Sequence, residues 1–183
     1  MTYDYYRSIL HGQHLPAALL DLDALDKNIQ EIAARAAGLP IRIASKSIRC
    51  VKVMQHILKN PAYQGIMAYT TEEAVWLVEQ GFDDILLGYP SMEADDITKL
   101  CNLSKAGKKI VLMVDDITHF ELIEKIAAMV GVIQAVCIDV DMSMDIPGIH
   151  FGVYRSPITT VEAFMKLVDN HHKFPHVRIV GLM

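Results

Sequence analysis

Residues 109–139 read KIVLMVDDITHFELIEKIAAMVGVIQAVCID. Two short apolar runs, Lys109–Val114 and Gln134–Asp139, flank an amphipathic segment. Unbroken apolar runs of this length predict strands covered on both faces, and their branched residues suit a buried sheet. Between them, Thr118-His-Phe-Glu121 has the spacing of a capping box, which opens a helix closing near Gly131. The stretch is therefore a strand, a crossover helix and a second, parallel strand. The pattern recurs on both sides. Further strand candidates are Ala17–Leu22, Ile41–Ser45, Gly65–Tyr69, Asp84–Gly88 and Val177–Leu182. Helical stretches between them are marked by the stripe Leu25, Ile29, Ile32, Ala33 and Ala36, by boxes at Thr70–Glu73 and Thr159–Glu162, and by Ser91 as a cap. Strand starts are evenly spaced until the sixth, after which a longer segment, Val140–Ile158, intervenes. Such regular units predict an α/β chain built as a (β/α) barrel. A doubly wound dinucleotide fold would need a glycine-rich loop after its first strand, and the turn after Ala17–Leu22 has no glycine.

Composition narrows the classes. The chain has 183 residues, 52% of them hydrophobic, enough to bury a core without disulfide or metal. A net charge of −5 argues against a phosphate-backbone partner, so no nucleic acid is expected. Three scattered cysteines, Cys50, Cys101 and Cys137, form no disulfide framework and fit a reducing, cytoplasmic setting. The start MTYDYYRSIL is not a signal peptide, and no apolar run is long enough to span a membrane.

Barrel active sites lie at the C-terminal ends of strands. Here those positions hold Lys46, Tyr69 with Thr70, Tyr89, Asp115 with Asp116, and Asp139 with Asp141. Lys46 ends the run Ile41-Arg-Ile-Ala-Ser-Lys46. An amine held at a strand end, partly desolvated, is suited to Schiff-base chemistry, although a solvated loop lysine has the same sequence appearance. Tyr69 can pack against a cofactor or belong to the core. His171, His172 and His176 fall between the last helix and last strand, at the opposite end, and read as a solvated turn. Asp115-Asp116 reads as a helix cap, and Asp95-Asp96 as first-turn acids facing the macrodipole.

Pro16-Ala-Ala-Leu-Leu-Asp-Leu-Asp-Ala-Leu-Asp-Lys-Asn28-Ile, followed by Ile41-Arg-Ile-Ala-Ser-Lys46-Ser, resembles the opening of fold-type III pyridoxal-phosphate enzymes. These include alanine racemases, D-threonine aldolases and D-serine dehydratases, and the likeness is greatest to the amino acid deaminase/aldolase branch. Ile138-Asp139-Val-Asp-Met142 with Phe151-Gly-Val-Tyr-Arg155-Ser resembles a second segment of that family, "ID-x-G-M-x-R-x-G". This chain has Asp141 where glycine is usual, and about eight extra residues, Ser143–His150, before the arginine.

The resemblance implies pyridoxal 5'-phosphate on Lys46 as an aldimine, with Arg155, Tyr69 and Asp139 around it. It implies retro-aldol cleavage, β-elimination or racemisation of small, D-configured amino acids. A non-catalytic single-barrel carrier of the cofactor and a cofactor-free Schiff-base aldolase are the alternatives. It further implies that residues 1–22 contribute a strand to a β-rich domain beyond this sequence, and that residues 23–183 form about six of eight barrel strands. The 183 residues are then expected to be an N-terminal fragment, inactive alone and homodimeric in full-length form. Any divalent metal ligands would belong to the part beyond it, and none is assigned here.

Overall fold

The computed structural model describes residues 2–183. Two compact units are present, Met1–Gly38 and Leu39–Met183. The first holds α1 (Tyr3–Ile9) and α2 (Leu22–Arg35). The expected strand Ala17–Leu22 does not form: residues 17–21 carry no regular structure and Leu22 opens α2. The reason is local. The Asp21 side chain accepts from the Ala24 amide at 3.0 Å and caps the helix, and no strand pairs with the preceding residues.

In the second unit, β1 (Ile41–Ala44), β2 (Tyr63–Ala68), β3 (Ile85–Leu87), β4 (Ile110–Val114), β5 (Gln134–Ile138) and β8 (Val177–Leu182) form one sheet in the order β1-β2-β3-β4-β5-β8. Every pairing is parallel. The connections carry α3 (Ser45–Ile48), α4 (Val51–Ile57), α5 (Thr71–Glu79), α6 (Ala94–Lys105), α7 (Ile117–Val130) and α8 (Val161–Asn170). This is the strand order of a partial (β/α) barrel, six strands of it. The segment between β5 and α8 folds as a small antiparallel hairpin, β6 (Met144–Ile146) and β7 (Ile149–Phe151), turned at Pro147-Gly148 with Gly148 at φ 85°.

Ile66, Ala68, Ile85, Val114, Val136 and Ile138 are fully buried, as are Leu77, Leu100 and Phe120 from the helices. Apart from Ala68, each such side chain contributes about 1.5–3 kcal/mol of transfer free energy. Leu86, Val111, Met113 and Cys137 form a separate cluster, with Met67 and Ala135 packed on it. Gln134, fully buried, is satisfied: it donates to the carbonyls of Ile110 (2.9 Å) and Ala135 (3.1 Å) and accepts from Ser104 Oγ (2.8 Å).

Helix starts differ from expectation by one or two residues, upstream at α7 and downstream at α6 and α8. Asp116, not Thr118, caps α7, taking both the Thr118 amide (2.8 Å) and hydroxyl (2.7 Å). Thr160 caps α8 through the Ala163 amide. Ser91 accepts from the Glu93 amide at 3.2 Å, one residue ahead of α6. Thr70 caps α5 as expected.

The N-terminal ends of three strands are tied by Asp84. Its Oδ1 meets Arg42 Nη2 at 2.7 Å and its Oδ2 meets Lys109 Nζ at 2.6 Å. Burial pushes the Asp84 carboxyl up, but the hydrogen bonds from Lys109 and Arg42 outweigh it and hold it below the usual range. A depressed carboxyl stabilises the fold above its unfolded pKa of about 4, and that contribution is lost as pH falls through the folded value. Asp84→Asn is therefore expected to cost about 1 kcal/mol at pH 7, after solvent screening, and to flatten the acid limb below about pH 4. Urea midpoints across pH 2–7 measure it, and unchanged acid sensitivity would contradict it. Among the described residues, no helix is long and apolar enough to cross a membrane.

Candidate active site

Lys46 stands where β1 leaves the sheet, in the first turn of α3, and its side chain is exposed. Its Nζ lies 4.6 Å from the centroid of the Tyr69 ring, at the end of β2. Tyr69 meets Tyr89, beyond β3, at 5.7 Å between centroids with a 56° tilt. The Arg155 guanidinium lies over Tyr89 at 4.9 Å. Arg155 Nε pairs with Asp139 Oδ2 at 2.6 Å, just past β5. The four residues singled out from sequence, Lys46, Tyr69, Asp139 and Arg155, thus occupy one rim, at the C-terminal ends of β1, β2 and β5. Tyr89 is the bridge between their two halves.

Arg155 is held from several sides. Its Nη2 donates to the Gly88 carbonyl at 2.5 Å, and its backbone amide to Asp141 Oδ2 at 3.1 Å. The hydrogen bond to Asp139 raises the guanidinium above its already high range, against the opposing effect of burial. It is a permanent cation. Asp141, at the position where glycine is usual, has a local task. Its other oxygen accepts from the Ser143 amide at 2.7 Å, so one carboxylate clips both feet of the hairpin. Those bonds from Ser143 hold it below the usual carboxylate range. Gly88 fits for a steric reason: a Cβ there would stand 3.1 Å from Met67 Cγ and 3.3 Å from the Ala68 carbonyl oxygen.

The remaining strand-end acids are engaged by partners of their own. Asp116 is spent as a cap, and Asp115 pairs with His119 at 3.1 Å. Burial pushes the Asp115 carboxyl up, His119 opposes this, and the neighbouring Asp139 carboxylate adds to it. The three histidines sit between α8 and β8. His171 Nε2 is 2.7 Å from the Val177 carbonyl, His172 Nδ1 is 2.7 Å from that of Asp169, and His176 pairs with Glu124 at 2.7 Å. Sequence reasoning named Tyr89 among the strand-end positions without giving it a role, and left Gly88 and Ser45 out of the site. The Gly-Tyr-Pro step after β3 was the available signal for Tyr89 and Gly88.

Residues 20–183 match the family model described as alanine racemase, N-terminal domain. The chain belongs to that family. Its members here are fold-type III pyridoxal-phosphate enzymes. Among curated relatives, the chain is similar to a 3-hydroxy-D-aspartate aldolase of Paracoccus denitrificans, 25% identical over 169 residues, 91% of this chain and 41% of that protein. Among solved structures, D-threonine aldolase from Filomicrobium marinum superposes with a TM-score of 0.79 at 21% identity, covering 92% of this chain and 43% of that one. D-threo-3-hydroxyaspartate dehydratase from Delftia sp. HT23 gives 0.75 at 23% identity, covering 94% and 44%. The chain therefore spans about two fifths of the length of these family relatives.

The rim suits pyridoxal phosphate on its own chemistry. It offers a primary amine at a strand end, two aromatic faces, a fixed cation, and beside the amine a buried Ser45 hydroxyl with no hydrogen-bond partner among the described residues.

Proposed function

We propose that this chain carries the cofactor-bearing part of a pyridoxal-phosphate enzyme that acts on small β-hydroxy-D-amino acids, by carbon–carbon cleavage or by elimination. The observation that carries the reading is the continuous contact chain from Lys46 through Tyr69 and Tyr89 to Arg155 and Asp139. Lys46 would hold the cofactor covalently through Nζ. When bound, the cofactor supplies an electron sink for charge developing at the substrate's α-carbon.

The protein's own residues supply the rest. Lys46 Nζ, as a free amine, would take or return a proton at that carbon. Tyr69 and Tyr89, in contact at 5.7 Å between centroids, would give a bound ligand aromatic faces to pack against. Arg155 has Nε engaged by Asp139 and Nη2 by Gly88, which leaves Nη1 to meet an incoming oxygen. That arrangement favours a single oxygen, such as the cofactor's phenolic one, over side-on bidentate capture of a carboxylate through Nε and Nη2. The names of the relatives, two of them acting on 3-hydroxyaspartate and one on D-threonine, support the substrate class. Residues 1–22 belong in this reading with a further domain, and the exposed Leu15, Leu19, Leu20 and Leu22 support that.

Borohydride reduction of the protein at saturating pyridoxal phosphate, followed by peptide mapping, tests the reading. Label is expected on the peptide containing Lys46. Label confined to another lysine, or spread evenly over all of them, overturns it.

A further inference from the structure

Beside Lys46, on the side of α3 and α5, lies a cavity of about 370 Å³ walled by Ser45, Lys46, Arg49, Tyr69, Glu73 and Trp76. Its polar complement is unbalanced. Ser45 is 2% exposed, and its hydroxyl oxygen is closed to water without any hydrogen-bond partner among the described residues. Native folds rarely leave such a group unmet, because its lost hydration is not returned. Arg49, which ends α3 in the left-handed region at φ 49°, donates from Nε to the Lys46 carbonyl at 3.0 Å. That bond fixes the guanidinium plane at the cavity and leaves its terminal nitrogens for an acceptor. Glu73, the one acid on the wall, is engaged: its Oε2 accepts from the Tyr69 amide at 2.8 Å. Two cations and a free hydroxyl thus face one engaged carboxylate.

We propose that this cavity is an oxyanion subsite, in which Arg49 and Ser45 take a phosphate monoester or carboxylate borne by the ligand that reaches Lys46. The inference deepens the functional reading of the same site. A planar guanidinium matches either anion with paired N–H donors, and the hydroxyl supplies a third. Placed beside Lys46, the subsite would anchor the cofactor by its phosphate while its aldehyde meets the amine, or a substrate by its distal carboxylate. The shared chemistry is a tetrahedral or planar oxyanion, either the cofactor's phosphate or a substrate's distal carboxylate.

Trp76, the chain's one tryptophan, lines the cavity and reports on it. The protein is titrated with inorganic phosphate, succinate, pyridoxal and pyridoxal phosphate while Trp76 fluorescence is followed. At least one of the two simple anions is expected to change the signal, with a midpoint raised about tenfold in Arg49→Gln, partly restored in Arg49→Lys, and raised less in Ser45→Ala. A response to phosphate alone, with pyridoxal phosphate binding more tightly than pyridoxal, assigns the subsite to the cofactor. A response to succinate alone assigns it to substrate, and a response to both leaves it open to either anion. Absence of any anion response, or midpoints that Arg49→Gln leaves unchanged, overturns the proposal. Borohydride capture of unphosphorylated pyridoxal at Lys46 is expected to persist in Arg49→Gln. Loss of that capture in the unsubstituted protein instead overturns the functional reading and leaves the anion titration to decide the subsite by itself.

Discussion

In a full-length protein that contains this chain, Lys46→Arg is expected to abolish borohydride-dependent labelling of its peptide and to reduce turnover of a β-hydroxy-D-amino acid by at least about 10²–10⁴, the range that a positioned acid–base group alone supplies. Arginine keeps the positive charge at the end of β1 and can still stack on Tyr69, so electrostatics at the rim are little altered. What disappears is a deprotonable amine, because a guanidinium is never neutral at working pH. Both capture of a carbonyl and proton transfer need the neutral amine, so the two losses should occur together. Stability should change little, since Lys46 is exposed and substitutions at such positions usually fall within about 0.5 kcal/mol. Measurement of label, turnover and urea midpoint on one preparation separates a chemical loss from unfolding. Turnover within tenfold of the unsubstituted enzyme would remove Lys46 from the chemistry.

The sheet was legible because strands buried on both faces are written as unbroken apolar runs, and the six such runs from Ile41 to Leu182 all became parallel strands. The Ala17–Leu22 run failed for the complementary reason: apolar character marks a preference for cover, and a strand also needs a neighbour to complete its ladder. The hairpin was missed although Met144-Asp145-Ile146 and Ile149-His150-Phe151 alternate about Pro147-Gly148, because three-residue runs fall short of the roughly four to eight residues that read as a strand. Capping boxes located helices well but mistook their first residue at α7, where Asp116 outcompetes Thr118 as the acceptor for an amide. For the site, barrel geometry directed attention to strand ends, and Lys46, Tyr69, Asp139 and Arg155 were readable there. Their joining through Tyr89 was not readable, since ring contacts between successive strands depend on register and rotamer rather than spacing. Nor was the unmet Ser45 hydroxyl, because no residue pattern records a missing partner.

The second large effect is expected at Asp139. Its side chain is 4% exposed and its carboxylate meets Arg155 Nε at 2.6 Å, while Arg155 is 28% exposed. Breaking a fully buried ion pair by truncating one partner costs about 3–5 kcal/mol, because the other charge is left unpaired. Here the guanidinium retains the Gly88 carbonyl and some solvent, so Asp139→Ala is expected to cost about 2 kcal/mol, which is about thirtyfold in the folding equilibrium. Asp139→Asn keeps the shape and an oxygen that can still accept from Nε, so its stability cost should be smaller. The two variants separate packing from positioning. If Asp139 acts by aiming Arg155, the asparagine variant should still loosen the guanidinium, weaken cofactor retention severalfold and alter the absorbance of the bound cofactor, with the fold intact. If the pair is only a structural tie, the asparagine variant should bind cofactor like the unsubstituted protein and the alanine variant should lose stability alone. Retention on dialysis, the visible absorbance band and urea midpoints distinguish the two. Arg155→Lys provides the matching control: lysine lacks the fork that spans Asp139 and Gly88, so it should reproduce the binding loss even though the charge is kept.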